Sequence, residues 1–236
     1  MMIYSSVQLI LIAAAVIPAV ALMIYVYKAD KLEKEPTPLL WRLILQGIIS
    51  TSLAVFTERL GAQILSSFVR SNTLLYQILF YFLVVGLSEE GFKYLLLKRR
   101  TWESPDFNCR FDGVVYAVFV SMGFALWENI DYVVMYGLET AFIRALTAVP
   151  GHACFGVFMG AWYGLAKSHD LHGHEKYSKV CRNLAVICPL LLHGLYDLIA
   201  TLDRGELSLV FIGFIAVMFL AAYRTVKKLS TQDKYL

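Results

Sequence analysis

Seven apolar runs separated by short polar connections limit what this chain can become. They cover residues 3–27, 39–56, 73–97, 113–134, 145–166, 184–201 and 207–223. Each is close to the ~20 predominantly apolar residues that a helix needs to cross a bilayer. The 236 residues are 58% hydrophobic and 17% charged, with a mean hydropathy of +0.62. Such a composition excludes an ordinary soluble domain. No run alternates as a barrel strand does. The expected fold is therefore all-α: a polytopic membrane helix bundle of about seven transmembrane helices, forming one integral-membrane domain over residues 1–236.

Charge gives the bundle a direction. Lys28, Lys31, Lys34 and Arg42 form one basic group, and Lys98, Arg99, Arg100 and Arg110 a second. Lys167, Lys176, Lys179 and Arg182 form a third, and Arg224, Lys227, Lys228 and Lys234 a fourth. These groups fall in alternate connections, while the others hold only Arg59, Arg70, Arg144 and Arg204. The positive-inside rule places the basic set in the cytoplasm, so the N-terminus is expected outside and the C-terminus in the cytoplasm. The net charge of +3 is accounted for by these topology determinants and implies no nucleic-acid partner.

The first run has its positive charges after the apolar core, the reverse of a secretory signal, and reads as a retained helix. Cys109 and Cys181 fall on the reducing side, and Cys154 and Cys188 in or near spans, so no disulfide framework is expected. Between residues 136 and 149, Leu138, Phe142, Leu146 and Val149 recur at helical spacing. That pattern predicts an amphipathic helix at the outer interface. Pro150 then opens the fifth span, and Asp112 is placed to cap the fourth.

Ionisable residues inside the spans are the informative exceptions, because a central carboxylate costs ~2.5–3.5 kcal/mol on insertion scales. Glu89 and Glu90 lie in the third run with Lys93 one turn on. An ion pair at i,i+4 or i,i+3 explains one of the two carboxylates structurally; the second is left over. Glu128 stands in the fourth run, where a wet structural place at the span end competes with a functional one. In the fifth, Gly156, Gly160 and Gly164 line one face for close helix approach, and His152 extends that stripe by a turn. The sixth carries His193 and Asp197 at i,i+4. Since neighbouring spans alternate in direction, Glu89, Glu128, His152 and His193 all fall within a turn or two of the midplane and can converge.

The ordered set Glu89-Glu90-x-x-Lys93, Phe124-x-x-x-Glu128-Asn129, Pro150-x-His152 and His193-Gly194-x-x-Asp197 resembles the PrsW family of intramembrane proteases. These are relatives of the CAAX prenyl-protease and Abi superfamily. The similarity covers about residues 80–198, including Asp112-Gly113, Gly123-Phe124 and the glycine stripe. At Glu128 the chain departs from the prenyl-protease branch, which has His there. The resemblance implies a bacterial or archaeal plasma-membrane enzyme making the site-1 cut in a membrane-bound anti-sigma factor, which releases a stress-response sigma factor. Glu89, Glu90, His152 and His193 match the family's functional positions.

The residues support hydrolysis on their own terms. Peptide cleavage needs an activated water, stabilisation of the oxyanion and an acid for the leaving amine. Glu89 is the preferred base, with Glu90 and Lys93 positioning and neutralising the pair. His152 and His193 could hold Zn²⁺ with Glu128 or Asp197 as third ligand, or could donate hydrogen bonds directly with no metal. No His-Glu-x-x-His helix is present. A serine nucleophile has little support, since Ser121 has no adjacent base. The segment from His169 to Glu175 reads as a solvated loop rather than a metal site.

The substrate would be a single-span membrane protein. Because Glu128 and His152 lie toward the outer ends of their spans, water is expected to enter from the outer face, beside the interfacial helix. Two other classes remain: a proton-coupled transporter, although no internal repeat is found, and a non-catalytic module that binds membrane proteins. Turnover of a single-span peptide separates the first reading from both.

Overall fold

The computed structural model describes residues 6–202 and 208–236, with side chains from residue 12 onward. The helices in chain order are α1 (Ser6–Ala29), α2 (Thr37–Phe68), α3 (Leu74–Leu79), a π-helical segment (Phe80–Gly86), α4 (Leu87–Thr101), α5 (Asp112–Tyr136), α6 (Leu138–Leu146), α7 (Ala148–Leu171), α8 (Glu175–Leu202) and α9 (Leu209–Thr231). α3, the π segment and α4 run on as one span, and seven helices in all are long and apolar enough to cross a membrane. No strand occurs among the described residues. The expected starts of the first and seventh spans, at residues 3 and 207, lie outside the described residues.

Two helices are much longer than their apolar runs. α2 continues well past residue 56 to Phe68, and α8 begins at Glu175 rather than near 184. At ~1.5 Å per residue the 32 residues of α2 run about 48 Å, more than a hydrocarbon core is thick. The surplus turns are polar enough to leave the lipid and still keep helical hydrogen bonding.

α5 is the central post. Its residues from Asp112 to Ala125 are all buried, because the helix is apolar on every side and its neighbours are protein rather than lipid. It packs most extensively on α7, α2 and α1. The glycine stripe makes the α5–α7 contact: a Cβ on Gly160 would strike the backbone of Gly113 and Val114, and one on Gly164 the carbonyl of Arg110. Only hydrogen at those positions lets the two backbones touch.

Gly137, at φ 86°, turns the chain from α5 into α6, where its missing side chain removes the left-handed penalty. α6 is the expected amphipathic helix, with Leu138, Phe142 and Leu146 exposed and Arg144 turned inward and buried. Val149, assigned by spacing to the same helix, belongs instead to the buried first turn of α7. Asp112 is not a helix cap. Phe111 holds that place, and Oδ2 of Asp112 accepts the backbone N–H groups of Asn108 and Cys109 at 3.1 and 2.6 Å.

The basic connections meet at one end of the bundle. Ser230 donates to the carbonyl of Ala29, Lys167 to that of Trp102 at 2.7 Å, and the backbone N–H of Leu236 to the carbonyl of Asn108 at 2.8 Å.

Candidate functional site

A short stretch of π-helix sets up the site. Adding a residue to each turn widens the helix and rotates the residues beyond it, and such segments recur at functional positions. Here it immediately precedes Glu89 and Glu90 and lies against α8. A Cβ on Gly86 would meet the Leu190 carbonyl at 3.1 Å, and one on Gly194 would press into the Phe82 ring at 2.7 Å. Glycine on both sides brings the glutamate pair within reach of His193.

Lys93 is fully buried and organises the centre. An ammonium has three donors, and all three are used: Glu90 Oε1 at 2.8 Å, Glu89 Oε2 at 3.2 Å and His152 Nδ1 at 3.1 Å. The ring of Phe124 lies 3.8 Å from Nζ and adds a cation–π contact. A buried cation compensated this fully is held rather than expelled.

From Lys93 the polar network runs outward. His152 Nε2 meets Glu128 Oε2 at 2.9 Å, and that same oxygen accepts Arg144 Nη2 at 2.7 Å. Arg144 Nε donates to Asn129 Oδ1 at 3.0 Å, and Asn129 Nδ2 to the Ala15 carbonyl at 3.0 Å. The chain of contacts therefore joins α4, α7, α5, α6 and α1. Glu128 is neither isolated nor merely wet, since it bridges His152 of α7 to Arg144 of α6.

His193 makes the second branch. Its Nδ1 lies 2.9 Å from Glu90 Oε1, and its ring stacks on Phe155 with centroids 4.8 Å apart. Its Nε2 lies 3.6 Å from Asp197 Oδ2. The two histidine rings are perpendicular, 5.4 Å between centroids.

A cavity of about 400 Å³ opens beside this cluster. Glu89, Glu128, His152, His193 and Asp197 all contribute to its wall, whereas Glu90 and Lys93 do not. The adjacent glutamates are thus chemically distinct: Glu89 faces the cavity, and Glu90 stands behind it holding Lys93 and His193. Arg144, Tyr132, Ala200 and Thr201 belong to the same wall, so the cavity lies at the end carrying α6 and the end of α8, away from the basic connections.

All seven residues singled out in the sequence are therefore brought together. Three to which the sequence assigned no role join them: Glu58 from α2, Arg144 from α6 and Tyr132 from α5. Glu58 escaped because it follows the apparent end of the second apolar run; the helical spacing of Leu60 and Ile64 beyond it was the available signal. Arg144 was legible only as one of the few basic residues in the sparsely charged connections.

The donor set suits a metal. Glu89, Glu90, His152 and His193 each offer a ligand atom, and these atoms all lie within 4.8 Å of one another. Two imidazoles and carboxylates are ligands that Zn²⁺ takes. Lys93 already satisfies three of these residues, so loading a metal requires its ammonium to turn aside. Glu128 and Asp197 lie outside that group of four, each against one histidine, in the place of carboxylates that orient a ligand ring. Ser121 is buried with no hydrogen-bond partner and packs on Gly156, so no serine nucleophile is assembled there.

Comparison with known proteins places the chain in a family. A family model described as "PrsW family intramembrane metalloprotease" matches residues 35–223. A relative from Oceanobacillus iheyensis, named Protease PrsW, is 32% identical over 94% of this chain and 96% of its own. One of the same name from Halalkalibacterium halodurans is 32% identical over 95% and 99%. A third, from Bacillus subtilis, is 32% identical over 81% and 83%. No solved structure matches the chain.

Proposed function

The chain belongs to the PrsW family of intramembrane metalloproteases, and from that premise we propose that it hydrolyses a peptide bond of a single-span membrane protein in the cavity beside Glu89. The observation that carries the reading is the division of labour in the glutamate pair. One carboxylate reaches the cavity together with two histidines, and the other is spent on holding the lysine and a histidine in place.

In this mechanism Glu89 takes a proton from the attacking water as its oxygen adds to the scissile carbonyl carbon. The C–N bond then breaks, and the amine leaves with a proton from Nε2 of His193. That ring is aimed by Glu90 on Nδ1 and by Asp197 beyond Nε2. Lys93 fixes Glu89 and Glu90 in their relative places, and the Glu128–Arg144 pair fixes His152. A Zn²⁺ ion would be held by Glu90, His152 and His193 and would supply Lewis acidity for the carbonyl and the water, with Glu89 left free as the base and returning its proton to the leaving amine in place of His193.

Positive-inside topology assigns the basic end to the cytoplasm. The cavity, at the opposite end, then receives water from the outer face, with α6 at its border. The substrate is accordingly cut in its outer juxtamembrane region or outer membrane half. The family resemblance points to a membrane-bound anti-sigma factor as that substrate, with this enzyme making the site-1 cut.

Reconstitution tests the reading. Proteoliposomes containing the purified chain and a single-span peptide should yield two fragments cut in the outer half. An intact peptide, alongside cation-dependent proton flux through the same vesicles, would support a carrier instead.

A further inference from the structure

Three carboxylates are buried together at the basic end, far from the Glu/His cavity. Asp30 closes α1, Glu35 precedes α2 and Asp112 begins α5, and their exposures are 1%, 3% and 0%. One oxygen from each lies within 4.8 Å of the others. Carboxylates packed this closely without water repel one another unless something positive or a proton lies between them.

Their hydrogen bonding points to what that is. Glu35 Oε2 accepts the Tyr116 hydroxyl at 2.6 Å, and Asp112 Oδ2 accepts two backbone N–H groups. The second oxygens, Glu35 Oε1 and Asp112 Oδ1, and both oxygens of Asp30 are buried and accept from no donor, and Glu35 and Asp112 stand close enough to hydrogen-bond to one another only when one of them carries a proton. Each side chain is clamped by one edge or by its backbone and leaves an acceptor over. Lys34 is the nearest candidate counter-charge, but its ammonium is turned onto the backbone carbonyls of Tyr27 and Asp30.

We propose that Asp30, Glu35 and Asp112 form a binding site for a hard divalent cation, Mg²⁺ or Ca²⁺, that ties the α1–α2 connection to the start of α5. All-oxygen donors of full charge are what such ions take, and softer metals prefer nitrogen or sulfur. The bound ion also pins the C-terminal tail, because the loop bearing Asn108, Cys109 and Phe111 pairs with Asp233, Tyr235 and Leu236. This site is separate from the proposed catalytic cavity and takes no part in its chemistry.

Terbium(III), an oxygen-seeking stand-in excited through nearby tyrosine, gives a direct probe. On chelator-stripped, detergent-solubilised full chain, we expect saturable Tb³⁺ emission on tyrosine excitation, displaced by Mg²⁺ or Ca²⁺; the better competitor identifies the ion. Asp30→Asn and Glu35→Gln, which relieve repulsion and preserve shape, should each weaken binding roughly tenfold or more, since affinity follows ligand charge. Tyr116→Phe should dim the emission yet keep a cation-induced rise in thermal midpoint. Unchanged Tb³⁺ affinity in folded Asp30→Asn and Glu35→Gln, or a thermal midpoint indifferent to Mg²⁺ and Ca²⁺ in wild type, would overturn the proposal in favour of carboxyls neutralised by protons.

Discussion

Nζ of Lys93 lies 3.1 Å from Nδ1 of His152. An ammonium can only donate, so this contact makes Nδ1 the acceptor and puts the ring proton on Nε2, where it is given to Glu128. One buried lysine on α4 thereby sets the tautomer of a histidine on α7. The pair of glutamates, the lysine and the histidine are a single electrostatic unit, and a change at one is felt at the others.

Lys93→Met leaves Glu89 and Glu90 buried without the ammonium that joins them. Breaking a buried pair on one side costs about 3–5 kcal/mol, so thermal unfolding in detergent should show a large loss of stability. Adding Glu90→Gln to Lys93→Met should recover part of it, which a double-mutant cycle measures. A stable Lys93→Met single variant would mean the ammonium is not what balances the pair.

Arg144 should matter through Glu128. Its guanidinium serves Glu128 and Asn129 from two different nitrogens, a fork that a lysine cannot reproduce. Arg144→Lys should lower the cleavage rate about 10–100-fold, the usual scale for losing an orienting partner, with little change in thermal midpoint. Full activity in that variant would detach α6 from the mechanism.

Gly160→Leu tests the α5–α7 seam. There is no room for a side chain against Gly113 and Val114, and overpacking of this kind costs about 1–3 kcal/mol or more. The expected result is aggregation or a lowered thermal midpoint. Gly213, with open space around it, should accept alanine without such loss.

Single cysteines at exposed positions test the orientation that charge assigns. Glu103→Cys, beyond α4, should react with an impermeant thiol reagent only from the cytoplasmic side. Phe142→Cys, on α6, should react only from outside. Labelling of both from one side contradicts the seven-span orientation.

Membrane spans were legible because transfer into lipid demands a run of apolar residues, and each run marks a helix that is present. Their ends were not legible. α2 and α8 continue into polar sequence that lipid never selects for, and Glu58 was lost with that extension. The π segment is equally silent, since Phe80–Gly86 is uniformly apolar and its register is set by packing on α8. Within the site, spacing predicted that Glu89, Glu128, His152 and His193 can meet, and the structure joins them through Lys93. What spacing could not say is which glutamate faces the cavity, because adjacent residues on a helix differ only by rotation. Asp112 shows the limit from the other side: its place before an apolar run suggested a cap, but its donors come from the preceding loop, and Asp30 and Glu35 are brought beside it only by tertiary packing.

Cleavage of a single-span peptide by Glu89→Gln in proteoliposomes, read by mass spectrometry beside wild type, tests the central claim most directly. Gln keeps the shape of Glu89 but cannot accept the water's proton, a loss of about 10²–10⁴-fold for a general base. The account predicts wild-type products cut in the outer half of the span and, for a folded and inserted Glu89→Gln variant, no detectable products. Wild-type turnover by Glu89→Gln, or a cut on the cytoplasmic side, would contradict it.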